Sequence, residues 1–410
     1  MSIEEDAYIK LTLEDLGEAY VRKDLPELLR KVDAAIFDCD GVLIDARNSY
    51  NRAIAKTVSY IMENLTGISF PRDLISDEVI ISFKRSGGFN SDWDLAYAIL
   101  MYTLCNLPSG FWEAFGRSID QISGIKDPAE RLRRLREEMG INIKRGGTGG
   151  WPAKKIKELS EELVRFAGLL DEDGIESVDN HLTRDPRIDE EARSRYMEMK
   201  NFIGHPGGVG ESLISTVFEE FFRGPTLFEE TCGLEPRFNR EEAGLIELEE
   251  AIIRPETLDR LESIFGGPRF GVASGSFLKP AEYILGDLLG RFKPEALIFY
   301  DEIERAEVEA SKMRGITVSL KKPNPFSLFR SAEALEPYSY AVYIGDSMED
   351  AVTVERAKER DPRFIFVGVY YHSPPRETTL RDFLESSCEV ILPTVNGLPN
   401  LLEWVRRNNP

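Results

Sequence analysis

Ala34-Ala35-Ile36-Phe37-Asp38-Cys39-Asp40-Gly41-Val42-Leu43-Ile44-Asp45 is the stretch that decides how the chain is read. A short apolar run stops at two aspartates two residues apart, and a glycine follows. The run predicts a buried strand, and the glycine lets the backbone turn sharply at its end. Two carboxylates at a strand tip repel each other unless positive charge lies between them. A divalent cation such as Mg²⁺ suits the pair, because it takes one or two carboxylates and leaves positions for a phosphate oxygen. Alone, the motif is equally compatible with a plain Asp- and Gly-rich turn. An EF-hand calcium loop is disfavoured, since Val42, Leu43 and Ile44 fill places where further oxygen ligands are needed.

Three downstream stretches supply what such a site requires. Phe270-Gly271-Val272-Ala273-Ser274-Gly275-Ser276 is a second apolar run, ending in a hydroxyl and a glycine whose N–H can meet a phosphate oxygen. Lys321-Lys322-Pro323-Asn324-Pro325 holds a lysine in a proline-stiffened extended segment. Tyr340-Ala341-Val342-Tyr343-Ile344-Gly345-Asp346-Ser347-Met348-Glu349-Asp350 is a third strand-like run, with an acidic residue at its tip and another four positions on. Singly, Ser274 reads as a strand turn, Lys322 as a solvated surface lysine and Asp346 as a helix N-cap. Their occurrence together and in this order favours one shared site.

On these four stretches the sequence is identified as a member of the haloacid dehalogenase-like hydrolase superfamily. That family carries Asp-x-Asp-Gly, a strand-end Ser or Thr, a Lys and an acidic pair such as Gly-Asp-x-x-x-Asp, in this order. The resemblance implies an α/β fold, a Rossmann-like parallel sheet with a large helical cap of C1 type inserted after the first core strand. It implies that Asp38 is the nucleophile, forming an aspartyl-phosphate, and that Asp40 is the general acid and base. Ser274, with the Gly275 N–H, is implied to bind the phosphoryl group, and Lys322 to pair with it and with the nucleophile. Asp38, Asp40 through its carbonyl, Asp346 and Asp350 are the implied metal group around Mg²⁺, with Asp350 orienting Lys322 or acting from behind the ligands. Because Asp40 is present, the resemblance points to phosphate esters and away from dehalogenation. The expected activity is Mg²⁺-dependent hydrolysis of a small phosphorylated metabolite. A phosphomutase, or a binding or regulatory protein that has lost turnover, are the alternatives.

Asp38 and Ser274 stand 236 positions apart, so a long insertion separates the motifs. We expect a catalytic core over 31–45 and 256–410, a cap over 46–255, and an N-terminal helical extension over 1–30, the last from the spacing of Leu13, Leu16 and Tyr20. Apolar spacings of three and four predict helices over Asn51–Leu65 and Asp92–Leu104. Strands are expected at Phe364–Val369 and Cys388–Leu392, and a last helix near Leu398–Arg407. Between the first two helices lies Phe83-Lys84-Arg85-Ser86-Gly87-Gly88-Phe89-Asn90-Ser91-Asp92-Trp93, similar to a cap segment of one subgroup of the superfamily. Lys84, Arg85 and Asn90 are candidate contacts to the non-phosphate part of a substrate. A helix-connecting turn capped near Asp92, with Trp93 in the core, is the competing reading. Lys144 to Pro152 is glycine-rich but lacks P-loop spacing.

Composition narrows the class further. A net charge of −21 opposes nucleic-acid binding. No apolar stretch is long enough to span a bilayer. Cys39, Cys105, Cys232 and Cys388 have no paired spacing, which suits a reducing, cytoplasmic setting and disfavours a zinc cluster. Charged residues make up 30% of the chain and Gln121 is its one glutamine, features expected of a thermophile protein.

Overall fold

The computed structural model of the chain describes residues 7–70, 74–89, 91–107, 109–141, 153–184 and 190–408. They form two compact units, one of residues 1–47 with 249–410 and the other of 48–248.

The first unit is built on strands β1 (Tyr8–Leu13), β2 (Gly17–Arg22), β3 (Val32–Phe37), β4 (Ile44–Asp45), β5 (Glu250–Ala251), β6 (Phe270–Ala273), β7 (Leu297–Ile298), β8 (Tyr340–Gly345), β9 (Phe364–Val369) and β10 (Val390–Leu392). Eight of them make one sheet in the order β1-β2-β10-β9-β8-β3-β6-β7, and β4 pairs with β5 separately. From β10 to β7 the pairing is parallel. Parallel strands need helices on both faces, so their sequences read as unbroken apolar runs rather than alternations. β9 is buried at all six positions and β3 at five of six. This is the expected α/β Rossmann-like core. From β3 the chain steps to β6 and β7 on one side, then crosses to β8, β9 and β10 on the other. The reversal lies between β3 and β8, where open α/β sheets place their ligand crevice, beyond the C-terminal strand ends.

The N-terminal segment is where expectation fails. Residues 8–22 form an antiparallel hairpin, β1 with β2, whose second strand also pairs antiparallel with β10. The spacing of Leu13, Leu16 and Tyr20 imitates a helix, but the period that governs is two. Ala19 and Val21 are both fully buried while Glu18, Tyr20 and Arg22 are half-buried. Asp15 at φ +61° and Gly17 at φ +120° make the turn between the strands. Asp is among the few side-chain-bearing residues that tolerate that region. The helical extension is therefore a two-stranded extension of the core sheet.

The second unit is helical among its described residues. Tyr50–Thr66 and Asp92–Cys105 cover the two helices expected there, and Leu213–Cys232 packs beside both. Ser91 caps the second helix by accepting the Asp94 N–H at 3.4 Å, close to the cap position anticipated at Asp92. Leu213–Cys232 is broken at Gly224, at φ 72° and ψ 169°, where Pro225 follows. An added Cβ on Gly224 would lie 2.5 Å from the Gly244 nitrogen, so two backbones cross there in contact. The glycine-rich stretch 144–152 lies outside the described residues apart from its neighbours in sequence. His205 faces Asp179 at 3.6 Å in this unit, and His372 pairs with Asp45 in the other, at 3.1 Å.

Candidate active site

Three parallel strands end side by side. Phe37 at the end of β3 is in register with Val272 of β6 and Ile344 of β8. The residues just past those ends, Asp38, Ser274 and Asp346, are therefore delivered to one place by the sheet itself. The Asp38 N–H continues the ladder by donating to the Ile344 carbonyl at 2.8 Å, and the Ser274 N–H donates to the Ile298 carbonyl at 3.0 Å.

Asp38 Oδ1 accepts from the Cys39 N–H at 2.8 Å and from Lys322 Nζ at 3.0 Å. Lys322 also donates to Asp350 Oδ1 at 2.7 Å, so one buried ammonium bridges two carboxylates. Asp350 sits in the first turn of the helix Met348–Lys358, in a capping box with Ser347. Its Oδ2 accepts both the Ser347 N–H (3.2 Å) and the Ser347 hydroxyl (2.7 Å). The Tyr343 hydroxyl lies 3.0 Å from Asp350 Oδ1 and 3.0 Å from the Ala273 carbonyl. Four donors thus converge on Asp350, which is only 1% exposed. Burial alone would raise its pKa, but Lys322 and these hydrogen bonds outweigh burial and hold it below the ordinary carboxylate value.

Asp346 lacks such compensation. Its Oδ2 accepts the Ser373 hydroxyl at 2.5 Å, yet burial and then the charges of Asp350 and Asp38 push its pKa well above normal. Asp38 is also raised, chiefly by burial, with Lys322 opposing. Oxygens of Asp38, Asp346 and Asp350 lie within 4.8 Å of one another. Three carboxylates, Asp350 buried and Asp38 and Asp346 half-buried, share one lysine, and that shortfall of positive charge with hard oxygen donors fits a divalent cation of Mg²⁺ type.

Asp40 points into a chain of hydroxyls that leads to Ser274, beside Asp38. Ser276 Oγ donates to Asp40 Oδ2 at 2.9 Å, and Ser274 Oγ donates to Ser276 Oγ at 3.1 Å. Gly41 has φ +73°, and a Cβ built there would fall 2.1 Å from Asp346 Oδ2. The glycine is thus required both by its backbone and by the carboxylate resting against it. Gly41→Ala is expected to push Asp346 out of place, costing about 1–2 kcal/mol from the left-handed backbone alone and more from the clash. Denaturant unfolding with a Mg²⁺ titration checks this; a variant as stable and as responsive to Mg²⁺ as the parent would refute it. At Gly275, by contrast, an added Cβ meets nothing within 4 Å. Only the backbone N–H at that position carries the expectation placed on it.

The structure brings together Asp38, Asp40, Ser274, Lys322, Asp346 and Asp350. It adds Ser276, Tyr343 and Ser373, which the sequence reading did not single out. Ser276 stands two residues past Ser274, a repetition that could have flagged it. Tyr343 looks like one more apolar strand residue, and Ser373 lies in a loop after β9 with no motif around it.

The remaining candidates belong to the helical unit. Lys84 forms an ion pair with Asp92 at 3.1 Å. Arg85 is exposed and lines a shallow open pocket with Ser82, Ser86, Asp171 and Glu172. Asn90 lies outside the described residues. Trp93 Nε1 donates to Glu219 Oε1 at 3.0 Å, and Phe89 is fully buried. The paired glycine has a structural cause: a Cβ on Gly88 would lie 2.4 Å from the Gly174 nitrogen, and one on Gly174, at φ +58°, would lie 2.4 Å from the Gly88 oxygen. Gly88→Ala is expected to lower stability by about 1–3 kcal/mol or more, because backbone rather than a movable side chain blocks the methyl. Urea unfolding measures it, and an unchanged midpoint would count against the crossing.

This fold and this constellation define a hydrolase of the haloacid dehalogenase-like class. The model of the haloacid dehalogenase-like hydrolase family matches residues 32–358, and the chain belongs to that family. No curated protein matches it. The crystal structure of a Northeast Structural Genomics Consortium target superposes on 92% of this chain and all of its own, with a TM-score of 0.62 and 16% identity. Phosphatase Tt82 from Thermococcus thioreducens gives a TM-score of 0.42 at 21% identity, over 86% of this chain and 98% of that one. The first likeness is one of fold.

Proposed function

We propose that the chain is a Mg²⁺-dependent phosphomonoesterase that works through an aspartyl-phosphate on Asp38. The observation that carries this reading is Lys322, buried between Asp38 and Asp350 and 8% exposed at its side chain, beside a third carboxylate, Asp346. A lysine fixed there serves two ends. It holds the Asp38 carboxylate in one orientation, and it sets positive charge where a phosphate dianion must approach a carboxylate that repels it.

Asp38 attacks phosphorus, its oxygen–phosphorus bond forming as the ester P–O bond breaks. Asp40 gives its proton to the departing alcohol oxygen, held toward the reacting centre by Ser276. Water then attacks the phosphorus, Asp40 takes its proton, and the acyl-phosphate bond breaks to release phosphate and regenerate Asp38. Lys322 and the Ser274 hydroxyl with its neighbouring N–H groups receive the charge on the non-bridging oxygens. Asp38, Asp346 and the Asp40 carbonyl would hold Mg²⁺, and Asp350, already served by four donors, would stay behind them to fix Lys322. The cation supplies Lewis-acid polarisation of the phosphoryl oxygens. We further propose that the helical unit acts as the cap and carries substrate selectivity, with Arg85 and its pocket its foremost candidate.

A panel of small phosphomonoesters assayed for phosphate release with Mg²⁺ and with chelator tests the reading, together with acid quenching to trap labelled phosphoenzyme. Magnesium-dependent release with a trapped intermediate is expected. Interconversion of sugar phosphates without release would make the protein a mutase, and silence across the panel with tight phosphoester binding would make it a binding protein.

A further inference from the structure

The helix Tyr300–Arg314 in the first unit buries a single residue, Ile303. Its outer side carries unusual apolar exposure: Val308 is 47% exposed, Met313 88%, and Ile316, just past the Gly315 cap, 64%. Met313 is the most exposed large apolar side chain among the described residues. An amphipathic helix that turns such groups outward is usually covered by something.

The charges on that face identify the cover. Glu302, Arg305, Glu309 and Lys312 alternate in sign at spacings of three, four and three residues. At about 100° per residue they fall on one arc of about 80°, centred well away from Ile303. Read backwards, the series minus, plus, minus, plus becomes plus, minus, plus, minus. A copy of the same helix laid antiparallel, with a two-fold axis at the level of Glu307, therefore meets opposite charge at every position. Glu302 faces Lys312 of the second copy and Arg305 faces Glu309, each twice. Within the chain Arg305 already pairs with Glu302 at 2.9 Å, whereas Glu309 and Lys312 form no ion pair among the described residues. The C-terminal half of the stripe is thus open to a partner, and the flanking Val308 and Met313 would be covered with it.

We propose that this face is a self-complementary contact through which two copies of the chain form a two-fold dimer. A helix of fifteen residues is about 22 Å long, which makes a small contact and so a weak, reversible dimer.

Sedimentation equilibrium on the full chain tests it, using two same-sign variants. One carries Glu302→Lys with Glu309→Lys, the other Arg305→Glu with Lys312→Glu. These are surface residues outside the proposed catalytic group, so circular dichroism and Mg²⁺-dependent activity serve as controls for folding. The wild type is expected to dimerise, and each variant alone to associate at least about tenfold more weakly, since like charges then oppose at every position. An equimolar mixture of the two variants is expected to recover association, as a heterodimer. A wild type that stays monomeric at about 1 mM, beyond the reach of a weak contact, would overturn the proposal. So would variants that dimerise unchanged, or a mixture that fails to recover.

Discussion

Asp38→Asn is expected to abolish turnover, by at least about a thousandfold, while leaving the protein as stable as before or slightly more so. The loss of activity follows from chemistry: an amide is no nucleophile toward phosphorus, so no aspartyl-phosphate can form and none should be trapped on acid quench. The stability follows from electrostatics. Burial pushes the pKa of Asp38 up, and the nearby Asp350 charge adds to the push, so the ionised carboxylate is a cost to the folded state in the absence of a cation. Asparagine keeps the size and can still accept the Cys39 N–H. Lys322 keeps Asp350 as its partner at 2.7 Å. Stability given up for chemistry is a mark of a working site. The measurement is paired: phosphate release against the best ester, and chemical unfolding with chelator present. An inactive variant that is also strongly destabilised would make Asp38 a structural residue, and an active one would remove the nucleophile from the proposed mechanism.

What the sequence made legible follows a physical pattern. Asp38, Ser274 and Asp346 could be found because each ends an apolar run, and strand ends in a parallel sheet converge by register without help from any other element. Lys322 and Asp350 could be found because they stand at fixed offsets from proline and from Asp346. Residues whose role depends on a partner far away in sequence stayed hidden. Tyr343 lies inside the unbroken buried run of β8, and nothing local tells its hydroxyl from a phenylalanine edge until Asp350 is placed beside it. Ser373 reaches Asp346 from a loop with no periodic signal. The hairpin of residues 8–22 was misread because three spaced apolar residues satisfied a helical template while the real constraint, pairing with β10, was nearly the whole chain away. Gly88 belongs to the same hidden class: its glycine is required by a second backbone crossing at Gly174, 86 positions away, which nothing local announces.

Lys322→Met should separate charge from packing most sharply. Methionine is close in volume and fills the space beside Tyr343, so packing changes little. What is lost is the ammonium shared by Asp38 and Asp350. Burial works against a charged Lys322, yet the two carboxylates outweigh it and hold its pKa well above normal, so the ammonium persists across the accessible pH range. Removing it leaves two carboxylates facing each other with the desolvation of both uncompensated, and breaking a buried pair in this way costs about 3–5 kcal/mol. Activity should fall by at least about a hundredfold, because the phosphoryl group then approaches Asp38 without its main protein counter-charge. Asp38→Asn and Lys322→Met are thus predicted to be alike in activity and opposite in stability. That divergence is a stronger test than either loss alone, since a general disruption of the site would move both variants the same way. In the double variant Asp38→Asn with Lys322→Met, one of the two facing charges is gone, and part of the lost stability should return. A double variant no more stable than Lys322→Met would mean that the lysine supports the fold through something other than the charge on Asp38.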